Sequence, residues 1–418
     1  MFTLPKRLPI TAPFKARTGC SWFALTWLLL ATWGSPLGAA PATVAPPLPT
    51  PASQIEALVE QGAVILLDES GQVVYQLHAD DYFTPASIVK ILTAQIAVEV
   101  LGQDHHFTTL VYAQGSEVWI KGQGDPFLIS EELRLIARNL KAKGITKITQ
   151  LGLDDSYFAY PINIPGTSGS TNPYDALNGA LIVNFNSLFL AKDKQGNVTS
   201  GEKETPLTPL ALTKAKLLKP GHADRFNLTT HKAESLQYAG ELFLALAAEE
   251  GISTQGAKVV QGAAPSGPPI LIHQNSRSLA VVLEGLLRFS NNFIANQIML
   301  TLGEGQPKTL EKAMVRYRVE ADRLFGHELK GARFEEASGL ARENRITARQ
   351  MSRVLLRFKP HVALLSEKHG VPLKSGTLTR VHNYAGYLKT PKGLRPFVIL
   401  LSQRGNGRDQ VLKLLQQM

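Results

Sequence analysis

Residues 84–90 read Thr-Pro-Ala-Ser-Ile-Val-Lys and place a serine, Ser87, three positions before a lysine, Lys90. The proline and the apolar spacing that follows predict a helix over residues 87–101. Residues three apart share one face of a helix, so the Lys90 amine can approach the Ser87 hydroxyl. A serine is a weak nucleophile until a base takes its proton, and a lysine can do so when burial or nearby positive charge lowers its pKa. Taken alone, the pair is more often a capping serine followed by a solvated lysine.

Two later segments strengthen the catalytic interpretation of that pair. Ser290-Asn291-Asn292 precedes an apolar helix over 293–302, and Lys374-Ser375-Gly376-Thr377 follows a strand-like run over 371–373. The order S-x-x-K, S-x-N and K-[ST]-G is the three-motif signature of serine β-lactamases and penicillin-binding proteins. A helix cap or a surface strand end explains either later motif singly, whereas all three in order favour acyl-transfer chemistry.

The first two motifs supply groups that move a proton. Ser290 can relay a proton between Lys90 and a leaving amine, and Asn292 can hold the Lys90 side chain together with a substrate amide. The N-terminus of a helix also directs backbone N–H groups toward an oxyanion. We therefore expect Ser87, Lys90, Ser290 and Asn292 to be the catalytic residues.

The third motif supplies groups that bind. Lys374 carries a charge that can lie beside Lys90, and with Ser375 or Thr377 it can bind a substrate carboxylate. Gly376 lets a substrate backbone approach the edge of the strand closely. We expect these four residues to contact substrate.

With these motifs the chain resembles the S13 class of low-molecular-mass penicillin-binding proteins, the PBP4-like D-alanyl-D-alanine carboxypeptidases and endopeptidases. Three further segments are similar to motifs of that family: Gly122-Gln-Gly-Asp-Pro126, the stretch 177–187 that contains Asn-Phe-Asn-Ser, and Ser338-Gly-Leu-Ala-Arg342. The roughly 200 residues between Ser87 and Ser290 are far more than a β-lactamase places there. This long insertion favours S13 over the simpler carboxypeptidases.

The strand-like runs at both ends of the chain, with helices between them, predict one α+β sheet built from both termini. The resemblance implies the transpeptidase fold of penicillin-binding proteins and serine β-lactamases, an antiparallel sheet flanked by helices. Residues 40–104 and 226–418 are expected to form this domain. Residues 105–225, rich in short strands and turns, are expected to form a mixed, mostly β inserted accessory domain between the first and second motifs.

The resemblance also implies a reaction. The carbonyl of a penultimate D-alanine would acylate Ser87, the terminal D-alanine would leave, and water would regenerate the enzyme, with the backbone N–H groups of Ser87 and Thr377 as the oxyanion hole. Arg342 would bind the far carboxylate of a diaminopimelate-type side chain, and Asp154 would meet its amine. Thr379 stands where some relatives carry a longer amide, which leaves side-chain selectivity open, as is the preference between carboxypeptidase and endopeptidase.

The N-terminus predicts export. Four basic residues and no acidic one precede or flank the short apolar run 21–33, and small residues around Ala39 suit cleavage, so residues 1–39 are expected to be a signal peptide. Retention of this segment as an anchor is the alternative. Cys20 lies before the apolar run, so a cleaved protein would have no thiol. Removing residues 1–39 takes away four basic groups and lowers the net charge from +10 to +6.

These features predict a periplasmic protein whose partners are peptidoglycan stem peptides, with β-lactams as covalent inhibitors and peripheral membrane or cell-wall association left open. Nucleic acid is a poor partner for an exported chain. No cofactor is expected, and the histidines lack metal-ligand spacing, so no metal is expected. Two alternatives stay open: a β-lactamase or esterase on the same fold, and a non-catalytic homologue that only binds cell wall.

Overall fold

The computed structural model describes residues 49–418. The predicted signal peptide over 1–39, Cys20 and most of the proline-rich segment 40–52 therefore lie outside the described residues. Within residues 49–418, no helix is both long and apolar enough to cross a membrane. Export and the cleavage site stay predictions.

The helices of the described residues are α1 Pro51–Leu58, α2 Lys90–Leu101, α3 Ser130–Ala142, α4 Pro209–Lys214, α5 Lys232–Glu249, α6 Leu279–Phe289, α7 Asn292–Leu302, α8 Leu310–Phe325, α9 Ala348–Phe358 and α10 Arg408–Leu415. The strands are β1 Gly62–Leu67, β2 Val73–Leu77, β3 Tyr82–Phe83, β4 Thr108–Gln114, β5 Glu117–Gly122, β6 Gln150–Asp154, β7 Ser187–Lys192, β8 Val198–Ser200, β9 His222–Asn227, β10 Lys258–Gln261, β11 Leu271–Gln274, β12 Ile346–Thr347, β13 Glu367–Lys368, β14 Val371–Leu378, β15 Val381–Thr390 and β16 Gly393–Leu401.

A six-stranded antiparallel sheet joins the two ends of the described chain in the order β13-β14-β15-β16-β1-β2. Strand β1 pairs with β16, so that Ile65 lies opposite Val398. All six residues of β1 are buried, because helices cover both faces of the sheet. Ile65 packs in the cluster that contains α2, and Leu66 packs with Ile55 of α1 and with α10. The predicted α+β fold, with one sheet built from both termini, is confirmed.

Helix α2 lies at the centre of the helical layer. Its residues from Lys90 to Ala97 are all buried, because α6, α7, α8 and α9 pack around it. A helix that is buried on every side is typical of a protein interior. The predicted helix over 87–101 begins as a 3₁₀ turn, Ala86–Val89, before it continues as α2. Ser87 therefore lies in the turn that leads into the most buried helix of this layer.

The insertion between the first and second motifs contains two further sheets. One has five strands in the order β10-β6-β5-β4-β11, with β10, β6 and β5 parallel and the others antiparallel. Helices α3 and α5 cover it and share a hydrophobic core that is separate from the core around α2. The other sheet is antiparallel, in the order β8-β7-β9. The predicted mixed, mostly β character of the insertion agrees with this arrangement.

The predicted end of the insertion at residue 225 needs correction. That position lies inside β9, and both β10 and β11 of the five-stranded sheet come later in the chain. Helix α5 packs against α3 of the insertion. The strong helical pattern of α5 resembled a return to the helical layer, although this helix covers the inserted sheet. We propose an insertion that extends from about residue 105 to Gln274.

We expect Ile65→Ala to lower the free energy of unfolding by about 2–5 kcal/mol, because it leaves a cavity between the sheet and the helical layer that contains α9 and α2. The control is Val74→Ala on the neighbouring strand β2, where the side chain is 47% exposed and the expected change is under about 0.5 kcal/mol. Denaturant unfolding of both variants measures the difference. Equal losses of unfolding free energy in the two variants would contradict a hydrophobic core at the sheet that both ends of the chain form.

Candidate active site

Ser87 is held at its place by the third motif. The 3₁₀ turn Ala86–Val89 begins at Ala86, whose φ of 47° lies in the left-handed region. The Asn383 amide of β15 donates to the carbonyl oxygens of Thr84 and Pro85, at 2.9 and 2.8 Å. A Cβ on Gly376 would lie 2.8 Å from the Pro85 oxygen and 3.1 Å from the Ser87 nitrogen. Position 376 requires glycine because the turn before Ser87 approaches β14 closely. The sequence analysis expected such an approach from a substrate backbone, and the turn is a second reason.

The Lys90 amine has three polar neighbours and no exposure to solvent. Its Nζ lies 3.0 Å from Ser87 Oγ, 2.8 Å from Asn292 Oδ1 and 2.6 Å from the Ser338 carbonyl oxygen. The last two oxygens can only accept hydrogen bonds, whereas a hydroxyl can also donate. An uncharged amine would use its two N–H groups on these acceptors and direct its lone pair toward Ser87. The contacts thus match those that a base beside a nucleophile needs.

The electrostatic surroundings favour that uncharged state. Burial lowers the pKa of Lys90 well below its ordinary value, and the charge of Lys374 lowers it further, against an opposing effect of Glu336. Both main causes disfavour the ammonium form and so favour the neutral amine, which is the form that can accept a proton from a hydroxyl. The predicted pairing of Ser87 with Lys90 is therefore a feasible nucleophile and base.

The second motif forms a break between α6 and α7. Ser290 adopts the left-handed region with φ 55° and ψ 36°, which ends α6. The Asn291 side chain then caps α7 by accepting from the Ile294 N–H at 3.1 Å, as residues of its type do at helix starts. The turn directs Ser290 and Asn292 to the same side. Asn292 reaches Lys90 with its oxygen and the Tyr174 carbonyl with its nitrogen, at 3.2 Å.

The third motif completes the arrangement through Lys374. Its buried amine lies 2.8 Å from Ser290 Oγ and 2.9 Å from the Ser375 carbonyl oxygen. Burial, and then the charge of Arg408, lowers the pKa of Lys374 to about 7. Ser290 thus contacts Lys374 on one side and stands in the same cleft as Ser87, where it can pass a proton. The structure brings together all three predicted motifs.

The loop that carries the predicted Ser338–Arg342 motif also contacts the far side of Lys90, which the sequence analysis did not predict. The fully buried Glu336 accepts hydrogen bonds from the backbone N–H groups of Ser338 and Gly339, at 2.7 and 2.6 Å, and from the Asn344 amide at 2.9 Å. These bonds fix the Ser338 carbonyl, which contacts Lys90. Buried carboxylates need such partners. An acidic residue just before Ser338-Gly339 was the available signal.

The motifs open into a cleft of ≈ 720 Å³. Its walls are formed by Ser87, Gly166, Ser168, Tyr174, Ser290, Asn292, Gly339, Leu340, Arg342, Glu343, Thr377, Leu378 and Thr379. The predicted side-chain contact Arg342 lies in this wall, where its guanidinium donates to the Thr379 carbonyl at 3.0 Å. Ser375 is half-buried in β14 beside these residues. Arg342 and Thr379 are thus placed where a substrate side chain could meet them.

The structure does not bring Asp154 to this cleft. Its side chain is fully buried at the end of β6 and accepts from the N–H groups of Ser156 and Ala264, each at 2.8 Å. Lys121 forms an ion pair with it at 3.2 Å. With both oxygens already occupied and no exposure, Asp154 cannot receive a substrate amine. Its predicted contact is corrected to a structural position inside the insertion.

Two residues of the site carried no sequence signal. Tyr174, from a turn of the insertion, lines the cleft and accepts from Asn292 through its carbonyl. Arg408, at the start of α10, contacts Thr377 and adds positive charge beside Lys374. Neither belongs to a motif, and only folding brings them near residues more than 30 positions away. Among residues 49–418, no group of three or more His, Cys, Asp or Glu side chains is arranged to hold a metal ion.

A protein-family model described as the D-Ala-D-Ala carboxypeptidase 3 (S13) family matches residues 50–217 and 218–366. A D-alanyl-D-alanine carboxypeptidase from Actinomadura sp. (strain R39) is 24% identical, with 69% of this chain and 62% of that protein covered. The chain thus spans less than two thirds of the length of that relative.

Solved structures share the fold. Penicillin-binding protein 4 from Haemophilus influenzae has a TM-score of 0.68 at 18% identity, covering 88% of this chain and 98% of its own. In its complex with a β-lactam the score is 0.64 at 19% identity, with the same coverage. A predatory endopeptidase from Bdellovibrio bacteriovorus, in complex with an immunity protein, has a TM-score of 0.51 at 17% identity, covering 86% of this chain and 92% of its own.

We expect Gly339→Ala to slow acylation of Ser87 by a serine-reactive fluorescent probe by roughly 100-fold, the effect of misplacing a reacting group by about 1 Å. A Cβ there would lie 1.9 Å from the Ala86 carbonyl oxygen, so the turn that carries Ser87 must move. Gly370→Ala is the matched control, because its φ is also positive at 74° and no atom lies within 4 Å. Equal probe rates in the two variants would contradict this.

Proposed function

The chain belongs to the D-Ala-D-Ala carboxypeptidase 3 (S13) family, and we propose that it is a serine DD-carboxypeptidase in which Ser87 is the nucleophile. The observation that carries the proposal is the buried Lys90 amine, held within 3.0 Å of Ser87 by two groups that can only accept hydrogen bonds. The proposed substrate is the D-alanyl-D-alanine end of a peptidoglycan stem peptide, met in the periplasm after export.

The proposed acylation begins with transfer of the Ser87 hydroxyl proton to Lys90. Ser87 Oγ bonds to the carbonyl carbon of the penultimate D-alanine, and the bond from that carbon to the nitrogen of the terminal D-alanine breaks. The leaving amine takes up the proton through Ser290, which contacts Lys374. Water then attacks the ester and gives its proton back to Ser87 by way of Lys90. Apart from the substrate and this water, no further reactant is needed for the balance.

The oxyanion of the tetrahedral intermediate needs donors in fixed positions. We propose that these are the backbone N–H groups of Ser87 and Thr377, as the family resemblance implies. The close approach of Gly376 to the turn before Ser87 supports the pairing, because it holds the two backbones together. Preorganised donors of this kind are among the largest contributions to acyl-transfer catalysis.

Recognition of the terminal carboxylate falls to the third motif. Lys374 is buried and supplies positive charge, Thr377 lines the cleft, and Ser375 lies between them in β14. Arg342 in the cleft wall is proposed to meet the far end of a diamino acid side chain. β-Lactams carry a similar carboxylate next to a reactive carbonyl, so the same groups are proposed to direct them to Ser87 as covalent inhibitors.

We expect wild-type protein to be labelled covalently by a fluorescent penicillin and Ser87→Ala to lose the label, because the substitution removes the oxygen that lies beside the Lys90 amine. His105→Ala, outside the residues that line the cleft, should keep it. Gel fluorescence measures both. Unchanged labelling of Ser87→Ala would contradict the assignment, and rapid turnover of penicillin in place of a lasting adduct would favour the β-lactamase alternative.

We expect kcat/KM for a peptide with a free terminal carboxylate to fall as the pH rises above about 7, because the pKa of Lys374 is lowered to about 7 and its cation is lost there. A peptide that ends in D-alaninamide lacks the carboxylate and should show no such fall. The profile of kcat/KM reports groups of the free enzyme. The same decline with both peptides would contradict a carboxylate contact to Lys374.

A further inference from the structure

Arg408 reaches from the start of α10 to the third motif. Its Nη1 donates to Thr377 Oγ1 at 2.8 Å and to the Gly376 carbonyl at 3.3 Å. The guanidinium also stacks on Tyr384, 4.5 Å from the ring centroid. Together these contacts hold the long Arg408 side chain in one place. Stacking alone, or a contact with a strand edge alone, would be ordinary packing.

The contact with Arg408 limits what the Thr377 hydroxyl can do. A hydroxyl has one hydrogen to donate and two lone pairs that accept, whereas a guanidinium can only donate. Arg408 therefore uses a lone pair of Thr377 and leaves its hydrogen for an acceptor. Thr377 lines the cleft beside Ser87. A carboxylate bound there has acceptors only, so it is the complementary group for this hydrogen.

Arg408 also contributes charge. An arginine keeps its proton at all physiological pH values, whereas burial and Arg408 itself lower the pKa of Lys374 to about 7. Two cations with different proton affinities thus lie at the third motif. Hydrogen bonds in which one partner is charged are stronger than neutral ones, and polarisation of Thr377 by Arg408 strengthens its own donation.

We propose that Arg408 is a positioning residue for the terminal carboxylate of the substrate. It acts through Thr377, whose hydroxyl it orients to donate into the cleft, and it supplies a permanent positive charge behind that hydroxyl. The inference rests on the proposed carboxypeptidase function and adds to it a residue outside the three motifs.

The test compares Arg408→Gln and Arg408→Lys with Arg404→Gln, an exposed arginine four positions earlier. Two peptides are used, one ending in D-alanyl-D-alanine and one in D-alanyl-D-alaninamide. We expect Arg408→Gln to lower kcat/KM for the first peptide by roughly 10-fold, mainly through KM, as for a weakened hydrogen bond to a charged group. The amide peptide should change little, Arg408→Lys should recover part of the loss, and Arg404→Gln should match wild type.

A double-mutant cycle isolates the route through Thr377. Thr377→Val removes the hydroxyl, so Arg408→Gln should cost much less in that background than in wild type if the two act together. Additive losses would mean that Arg408 does not act through Thr377. A loss of equal size for both peptides would mean a general structural effect, and either result would overturn the inference.

The pH dependence of kcat/KM is a measurement that a purely structural role of Arg408 would leave unchanged. In Arg408→Gln the alkaline fall of kcat/KM should shift to higher pH, because Lys374 loses a neighbouring cation, and Arg408→Lys should keep it near wild type. The Lys90 amine is the other basic group close to Lys374. The titratable groups around Arg408 are Tyr384, Asp409, Lys368 and His382. Burial and the charge of Arg408 lower the pKa of His382, so this group does not contribute to the alkaline fall. An unmoved alkaline fall would count against the charge contribution.

Failure of the proposed function is distinguishable from failure of this inference. If wild-type protein released neither D-alanine from the first peptide nor D-alaninamide from the second, the function would fail. The rates at which benzylpenicillin and its methyl ester acylate Ser87 would then test Arg408 independently, since only the first has a free carboxylate. Arg408→Gln should narrow the difference between the two rates by roughly 10-fold, and an unchanged ratio would overturn the proposal.

Discussion

The arrangement of this site depends on one buried amine. Lys90 has no exposed surface, and the oxygens of Asn292 and Ser338 on either side of it accept hydrogen bonds without being able to donate. Burying a charged ammonium is costly, so an environment of this kind favours the neutral amine and leaves its lone pair for the Ser87 hydroxyl. The nearby cation Lys374 acts in the same direction. The chemistry of Ser87 follows from where this amine is held.

The fold has to bring four distant segments to that amine. The sheet formed from both termini fixes the turn that carries Ser87, since Asn383 of β15 binds the two carbonyls just before it. The break between α6 and α7 delivers Asn292, and the loop organised by Glu336 delivers the Ser338 carbonyl. Contacts over such long sequence separations cost loop-closure entropy. The extensive core around α2 provides the burial that offsets this cost.

The sequence allowed prediction of the parts that depend on local pattern and motif order. The three motifs, the helix after Ser87 and the sheet built from both termini are of this kind, because periodicity and spacing record them directly. Arg408 could not be predicted, since its effect comes from tertiary neighbours and it has no pattern of its own. Glu336 had one signal, its place just before Ser338-Gly339, but the partners that it holds are brought to it by the fold. Asp154 was misplaced for the same reason: an aspartate in a turn gives no sign of whether the fold buries it. The end of the insertion was placed too early because α5 has the periodicity of any amphipathic helix, whichever sheet it covers.

Mass spectrometry of purified muropeptides, before and after incubation with the protein, tests the central claim most directly. The account predicts that pentapeptides lose one alanine and that Ser87→Ala leaves them intact. Conversion of cross-linked dimers to monomers by the same serine would add endopeptidase activity. Pentapeptides that stay unchanged, while a fluorescent penicillin still acylates Ser87, would contradict the account, because they would show a reactive serine without D-alanyl-D-alanine hydrolysis.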